Sequence, residues 1–253
     1  MDTAPFTLEI TQDAPAVFHA PPCCGSLDLR LGDCMDVMKT FPDGHFELAI
    51  VDPPYGETCK LSGGKAAKDG YADYWGKVSD AGNWNVAPEK AYWDEIARVA
   101  KHRIVWGANH YPQFLHPSSG WGFWDKGQRN FSFSDGELAF TTFPQKLKVF
   151  TFARANLHQE DRIHPTQKPV ALYKWLFANY AKPGMRVLDT HLGSGSIAIA
   201  AHYAGIHLTA CEIDPDYFEA AKARISRETS QTELFSPHND EVWDGDPKTP
   251  PRQ

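Results

Sequence analysis

From Arg186 onward the chain alternates so tightly that few architectures can hold it. Arg186–Leu188 reads as a strand, Ser196–Ala204 as a helix, His207–Cys211 as a strand and Pro215–Arg227 as a helix. Strands and helices alternating at this spacing imply a mainly parallel sheet covered by helices on both faces, an α/β class. Upstream segments fit the same sheet. Leu27–Leu31 alternates like a half-buried strand and ends at Gly32-Asp33, before a short helix over Cys34–Thr40. Phe46–Val51 is a continuous apolar strand, and Pro88–Lys101 is an amphipathic helix with Tyr92, Ile96 and Val99 on one side. Arg103–Trp106, Gly120–Trp124, Glu137–Thr142 and Lys148–Phe152 read as four short strands, and Pro165–Tyr180 as a helix with Pro165 in its first turn.

The strand at Phe46–Val51 runs into Asp52-Pro53-Pro54-Tyr55. Two consecutive prolines stop ladder and helix alike. A carboxylate, rigid carbonyls and an aromatic ring are thereby fixed at the strand's carboxyl end, where open α/β sheets bind ligands. An acceptor side chain, an acceptor carbonyl and a stacking face suit a flat ring carrying an exocyclic amine. Asp52 and the Pro53 carbonyl each accept one N–H, while Tyr55 covers the ring. The plain alternative is a strand followed by a proline turn.

A second site lies near the carboxyl end. Asp189-Thr190-His191-Leu192-Gly193-Ser194-Gly195-Ser196 joins a strand to a helix. Glycines there permit positive φ and close backbone approach, and the helix amino end offers unpaired N–H groups. Glu212 follows Gly193 at the spacing typical of an acid that holds ribose hydroxyls. Just upstream, His164-Pro165-Thr166-Gln167-Lys168-Pro169 sets a hydroxyl, an amide and an ammonium in a row, a combination that suits a carboxylate. A helix cap would explain only His164 to Thr166.

Composition bounds the rest. The chain has 253 residues, which fits one α/β domain, and 42% hydrophobic content, enough for a core without staples. Five cysteines without Cys-x-x-Cys spacing argue for a reducing cytoplasm and against structural zinc. No apolar run reaches the ~20 residues needed to cross a bilayer, and the acidic, Pro-rich amino end lacks the basic start of a signal peptide. Net charge is −7, which speaks against nucleic acid. Yet from Glu212 to the carboxyl end ten acids face five bases, so −5 of that charge lies there. The organisation expected is a leader over 1–26, a domain over 27–228 and a disordered acidic tail over 229–253.

The order Asp-Pro-Pro-Tyr, then a variable region, then His-Pro-Thr-Gln-Lys-Pro, then Asp-x-x-x-Gly-Ser-Gly-Ser resembles the β-class of amino-group DNA methyltransferases, which modify adenine N6 or cytosine N4. The resemblance covers roughly residues 27–228. It implies a Rossmann-like S-adenosylmethionine-dependent fold with permuted motif order, the cofactor half being C-terminal, S-adenosylhomocysteine as the by-product and no metal. It further implies methyl transfer to the amine of a base flipped from the duplex. Carried over by position, Asp52, Pro53, Pro54 and Tyr55 match the catalytic motif. Asp189, His191, Gly193, Ser194, Gly195 and Ser196 match the cofactor loop and Glu212 the ribose acid. Asp33 matches the residue at the cofactor adenine. His164, Thr166, Gln167 and Lys168 match the segment around its methionine moiety. Thr190 and His191 depart from the family's usual Pro and Phe, which puts the packing beside the cofactor or base in question. Ser196 stands for a common Thr.

An Asp opening the catalytic motif points to adenine, since cytosine-N4 enzymes more often carry Ser. Cytosine N4, RNA adenine and an inactive DNA-binding scaffold are the alternatives. Target recognition falls to 56–86 and 107–160. Lys60, Lys65, Lys68 and Lys77 lie among aromatics in the first segment, and Lys126 and Arg129 lie in the second, with Asn109, His110, Tyr111, Trp121, Trp124, Gln128 and Asn130. For the aromatics, core packing is the competing role. Gln231, Leu234 and Phe235 resemble the bacterial sliding-clamp motif Gln-x-x-Leu-Phe, with packing back on the domain as the alternative. A cytoplasmic monomer or homodimer acting on DNA, with no membrane partner, is expected.

Overall fold

The computed structural model describes residues 25–56, 86–129, 134–153, 163–164 and 166–230. In chain order these contain β1 (Ser26–Leu31), α1 (Cys34–Lys39), β2 (Phe46–Val51), α2 (Lys90–Val99), β3 (Ala100–Trp106), β4 (Trp121–Asp125), β5 (Gly136–Thr141), β6 (Lys148–Thr151), α3 (Val170–Tyr180), β7 (Arg186–Asp189), α4 (Ser196–Tyr203), β8 (His207–Glu212) and α5 (Pro215–Ser230). Two single 3-10 turns follow β3, at Ala108–His110 and Pro112–Phe114.

The strands make one sheet in the order β1-β8-β7-β2-β3-β5-β4-β6. Only β5 runs against its neighbours. Alternation along each strand sorts side chains onto two faces. Leu48, Ile50, Val187 and Leu208 join the helices α3, α4 and α5 in one core. Ala49, Val51, Val105 and Leu188 join α1 and α2 in the other. Leu48 and Ile50 are essentially inaccessible, and each such side chain contributes about 1.5–3 kcal/mol. The outcome is the mixed α/β sheet with helices on both faces that the alternation implied.

Element ends differ from the sequence reading in three informative places. The helix at 170–180 starts five residues after Pro165. Pro169, extended at φ −68°, ψ 144°, is its cap, and a proline disfavours helical backbone at the preceding Lys168. The second proline, not the first, sets the start, and Thr166–Lys168 are left outside the helix to line a cavity. At Ala100 (φ −123°, ψ 131°) α2 passes directly into β3, with no intervening loop. Helix α5 continues to Ser230, past the expected boundary at 228.

The chain crosses from β2 to β3 on one side and from β7 to β8 on the other, so β2 and β7 flank the point where the winding reverses. They pair in parallel at Leu48–Val187 and Ala49–Leu188. Ligands bind outside the carboxyl ends of strands at such a point. β1 closes the far edge against β8, where the Gly32 N–H donates to the Glu212 carbonyl at 2.8 Å. That pairing brings the first strand's Asp33 beside the last strand's Glu212.

Candidate active site

A cavity of about 800 Å³ opens along these carboxyl ends. Its wall includes Asp52, Pro53, Pro54 and Tyr55 from the end of β2. It also includes Asp33, His164, Thr166, Gln167, Lys168, His191, Gly193, Ser194 and Glu212. Both half-sites expected from sequence therefore face one space. Asp189, Gly195 and Ser196 sit behind that wall. The Asp189 carboxylate turns back to accept the His191 N–H at 3.0 Å, and Ser196 pairs with Ser194 through their hydroxyls at 3.1 Å.

The Asp-Pro-Pro-Tyr turn is held from outside by a side chain the motif does not contain. Tyr111, buried after the first 3-10 turn, donates its hydroxyl to the carbonyls of Pro53 (2.9 Å) and Pro54 (2.6 Å). The Tyr55 hydroxyl donates to Asp52 Oδ1 at 2.9 Å. Burial and the Asp52 charge push the Tyr55 phenol well above its ordinary range, so it stays a donor. The Tyr55 ring stacks on His110, centroids 4.5 Å apart and planes 10° from parallel. Gly107 backs it, at φ 64°, with no room for a side chain.

The second Asp52 oxygen, Oδ2, accepts from Lys168 Nζ. Lys168 is only 5% exposed. It also lies 3.2 Å from Glu137 Oε2, and Glu137 Oε1 in turn lies 2.6 Å from Lys126 Nζ. Burial works against charge on Glu137, but Lys168 and Lys126 outweigh it and hold the carboxyl down at about 2. Burial likewise opposes charge on Lys168, and Asp52 and Glu137 outweigh it, raising the ammonium. Glu137 Oε2 is buried, and its contact with Lys168 is ionic in geometry rather than a directed hydrogen bond.

In the glycine loop, Gly193 (φ 51°) and Gly195 (φ 74°) turn the backbone toward the cavity. Glu212 accepts the N–H of Gly193 (2.8 Å), Ile213 (3.0 Å) and Asp214 (3.1 Å). The amino end of α4 has no side-chain cap. Arg224 of α5, 2% exposed, donates to the Ser194 carbonyl at 2.9 Å and the Ser196 hydroxyl at 2.8 Å, stapling the loop to the core. Asp33 caps α1 through the Met35 N–H at 2.7 Å while lining the cavity.

A DNA methylase family model, covering N6- and N4-specific enzymes, matches residues 124–223. Over this stretch the chain is similar to the N6/N4 DNA methylases. Its relatives include YubD of Escherichia coli (strain K12), named as a methylase, 26% identical over 77% of this chain and 88% of that protein. The type II methyltransferase M.BglII of Bacillus subtilis is 21% identical over 81% of this chain and 70% of its own length. Among solved structures, a DNA modification methylase of Thermus thermophilus in complex with S-adenosyl-L-methionine aligns over 81% of this chain and 96% of that one (TM-score 0.52, 17% identity). The cytosine-N4-specific PvuII DNA methyltransferase aligns over 85% and 93% (TM-score 0.53, 14% identity). These structural likenesses establish the fold.

The chain departs at Thr190 and His191 from the pattern usual among the enzymes it resembles, and the structure shows how the pair packs. Buried Tyr92 of α2 shares a 2.7 Å hydrogen bond with the Thr190 hydroxyl, which meets His191 Nδ1 at 2.9 Å. Burial lowers His191 to about 4, so its ring is neutral. A neutral imidazole thus stands in the cavity wall where a phenylalanine is usual. Burial also pushes Asp189 up to about 7, with the Asp52 and Glu212 charges adding to the shift against the His191 N–H.

Of the residues considered for DNA contact, Lys126 is turned inward to Glu137, over the Trp124 ring. Arg129 is exposed and paired with Asp125 at 2.9 Å. Trp124 and Tyr111 are core residues. Lys60, Lys65, Lys68, Lys77, Asn130 and the clamp-like Gln231, Leu234 and Phe235 lie outside the described residues. Among the described residues no helix is long and apolar enough to cross a membrane, and no cluster of His, Cys, Asp and Glu has the makings of a metal site. Tyr111, Glu137, Tyr92 and Arg224 are site-building residues whose roles the sequence did not disclose. For Arg224 a signal existed, a lone arginine between the apolar positions Ala221 and Ile225 of α5.

Proposed function

We propose that this methylase transfers a methyl group from S-adenosylmethionine to the N6 amine of adenine in DNA, the adenine being flipped into the cavity. The observation that carries the proposal is the single cavity joining the Asp52 carboxylate to the Gly193–Glu212 cradle. The cradle suits the cofactor. The uncapped start of α4 and the positive-φ loop offer backbone N–H groups, Glu212 stands at the end of β8 for ribose hydroxyls, and Asp33 stands beside it. When bound, S-adenosylmethionine supplies an electrophilic methyl on a sulfonium.

The chain's own residues prepare the nucleophile. An adenine amine is a poor one because its lone pair is delocalised into the ring. Asp52 accepts one amine N–H and the Pro53 carbonyl the other, which favours a more tetrahedral nitrogen with its lone pair exposed. The Tyr111 hydroxyl fixes the two proline carbonyls, and Tyr55 and Lys168 fix the carboxylate, so the acceptors are positioned before the base arrives. Asp52 then takes the proton that the methylated nitrogen sheds. Adenine is favoured because an Asp opens the motif.

Asp52→Ala tests the division of labour. Methyl transfer to unmethylated duplex DNA should be lost, while S-adenosylmethionine affinity measured by calorimetry stays within a few-fold of the parent. Retained transfer with lost cofactor binding would reverse the assignment of the two half-sites.

A further inference from the structure

We infer that Lys168 is a positioning residue for the catalytic carboxylate, a buried cation that holds Asp52 Oδ2 and keeps the carboxylate aimed at the target amine. The inference rests on the proposed methyl transfer and departs from the expectation that Lys168 serves the cofactor's carboxylate. Lys168 comes from the non-helical segment ahead of α3, 116 residues from Asp52 in sequence, and its ammonium lies between Asp52 Oδ2 and Glu137 Oε2. Its side chain is 4% exposed, and Trp106 lies beneath it, 5.6 Å from ring centroid to Nζ. A cation so enclosed is oriented by the two carboxylates and has little freedom to follow a ligand.

The need for such a cation follows from what surrounds Asp52. Asp189 stands at the end of β7, Glu212 at the end of β8 and Glu137 on β5. Tyr55 lies on its own turn, and Tyr173 faces it from α3. His110 covers Tyr55, Tyr111 holds the turn, and His191 is neutral in the opposite wall. Lys168 and Lys126 are the cations of this group, and Lys126 is engaged with Glu137. A carboxyl group buried among other acids tends to stay protonated, and an opposite charge within ~4–6 Å lowers its pKa by about 1–3 units. Protonated, Asp52 would present an O–H to the amine where an acceptor is required. Lys168 supplies the opposite charge at the acceptor oxygen. Glu137 supplies the counter-charge that keeps the lysine seated.

The test compares wild type with Lys168→Met and Lys168→Arg. Wild-type transfer is measured first, and its absence would reject the proposed function before any variant is compared. With wild type active, Lys168→Met should bind S-adenosylmethionine within about threefold of wild type. The acid limb of its kcat profile should move up by about 1–3 pH units. Lys168→Arg should restore the wild-type limb. Should Lys168→Met fail to fold, Lys168→Gln, which keeps a donor without the charge, carries the same expectation. An unshifted acid limb overturns the inference. So does a variant whose defect is weakened cofactor binding with kcat intact, because that places Lys168 on the cofactor.

Discussion

Replacing Gly107 by alanine isolates the contact that seats Tyr55. Gly107 and Gly44 have nearly the same backbone, φ 64° and 62°, so the left-handed penalty should be alike at both. It amounts to about 1–2 kcal/mol, offset by about 0.4–1 kcal/mol from the stiffer unfolded chain. The space around the two differs. A Cβ at Gly44 finds only Lys101 side-chain carbons at 3.9 Å. A Cβ at Gly107 overlaps Cε1 and Cζ of the Tyr55 ring and lies 2.8 Å from Oη. The ring must leave, giving up its hydrogen bond to Asp52 and its stacking on His110. Losing a hydrogen bond to a charged group costs about 1.5–3 kcal/mol, and forced repacking about 1–3 kcal/mol. Gly44→Ala should therefore destabilise by roughly 1 kcal/mol and leave turnover unchanged. Gly107→Ala should lose roughly 2.5–6 kcal/mol more, with methyl transfer falling while cofactor affinity persists. Urea denaturation of both variants with a transfer assay reads the difference. Equal destabilisation, with Gly107→Ala fully active, would refute the packing of Tyr55 against residue 107.

Two further outcomes follow from groups behind the cavity wall. The folded protein holds Asp189 at about 7 against an ordinary 3.8, so it binds that proton more tightly than the unfolded chain. The stability from this group is full below about pH 4 and is lost as pH rises through about 7. Asp189→Asn, with the cofactor absent, should thus gain on wild type across that window, by up to roughly 4 kcal/mol; parallel stability curves from pH 4 to 8 would contradict this. Tyr111→Phe leaves the Pro53 and Pro54 carbonyls without their buried donor. It should cost about 1–3 kcal/mol and lower kcat at unchanged cofactor affinity, whereas a weakened cofactor complex would place Tyr111 elsewhere in the mechanism.

The C-terminal half of the sheet was legible because its signals are local. The strand–loop–helix run from Arg186 and the acid at Glu212 each declare themselves within a few residues, and the observed ends differ by at most three positions. The start of α3 was misread for a local reason as well, two prolines four residues apart competing to cap one helix. What could not be read was pairing across distance. Lys168 reads from its sequence neighbours as a carboxylate ligand, and its ion contacts to Asp52, just after β2, and to Glu137 of β5 appear only in the fold. Tyr111, one aromatic among several in a segment considered for base reading, braces the motif turn from 57 residues away. Thr190 and His191 looked like a gap in the pattern, and only α2, carrying Tyr92, shows how they are filled.

The most direct measurement is to incubate the protein with S-adenosylmethionine carrying a labelled methyl group and unmethylated duplex DNA, then digest the DNA and identify the labelled nucleoside by mass. N6-methyladenine is the expected product. N4-methylcytosine would keep the mechanism and overturn the choice of base, and label appearing only with RNA would change the substrate. Cofactor binding with no labelled nucleoside from either nucleic acid would contradict methyl transfer itself and leave a binding scaffold in its place.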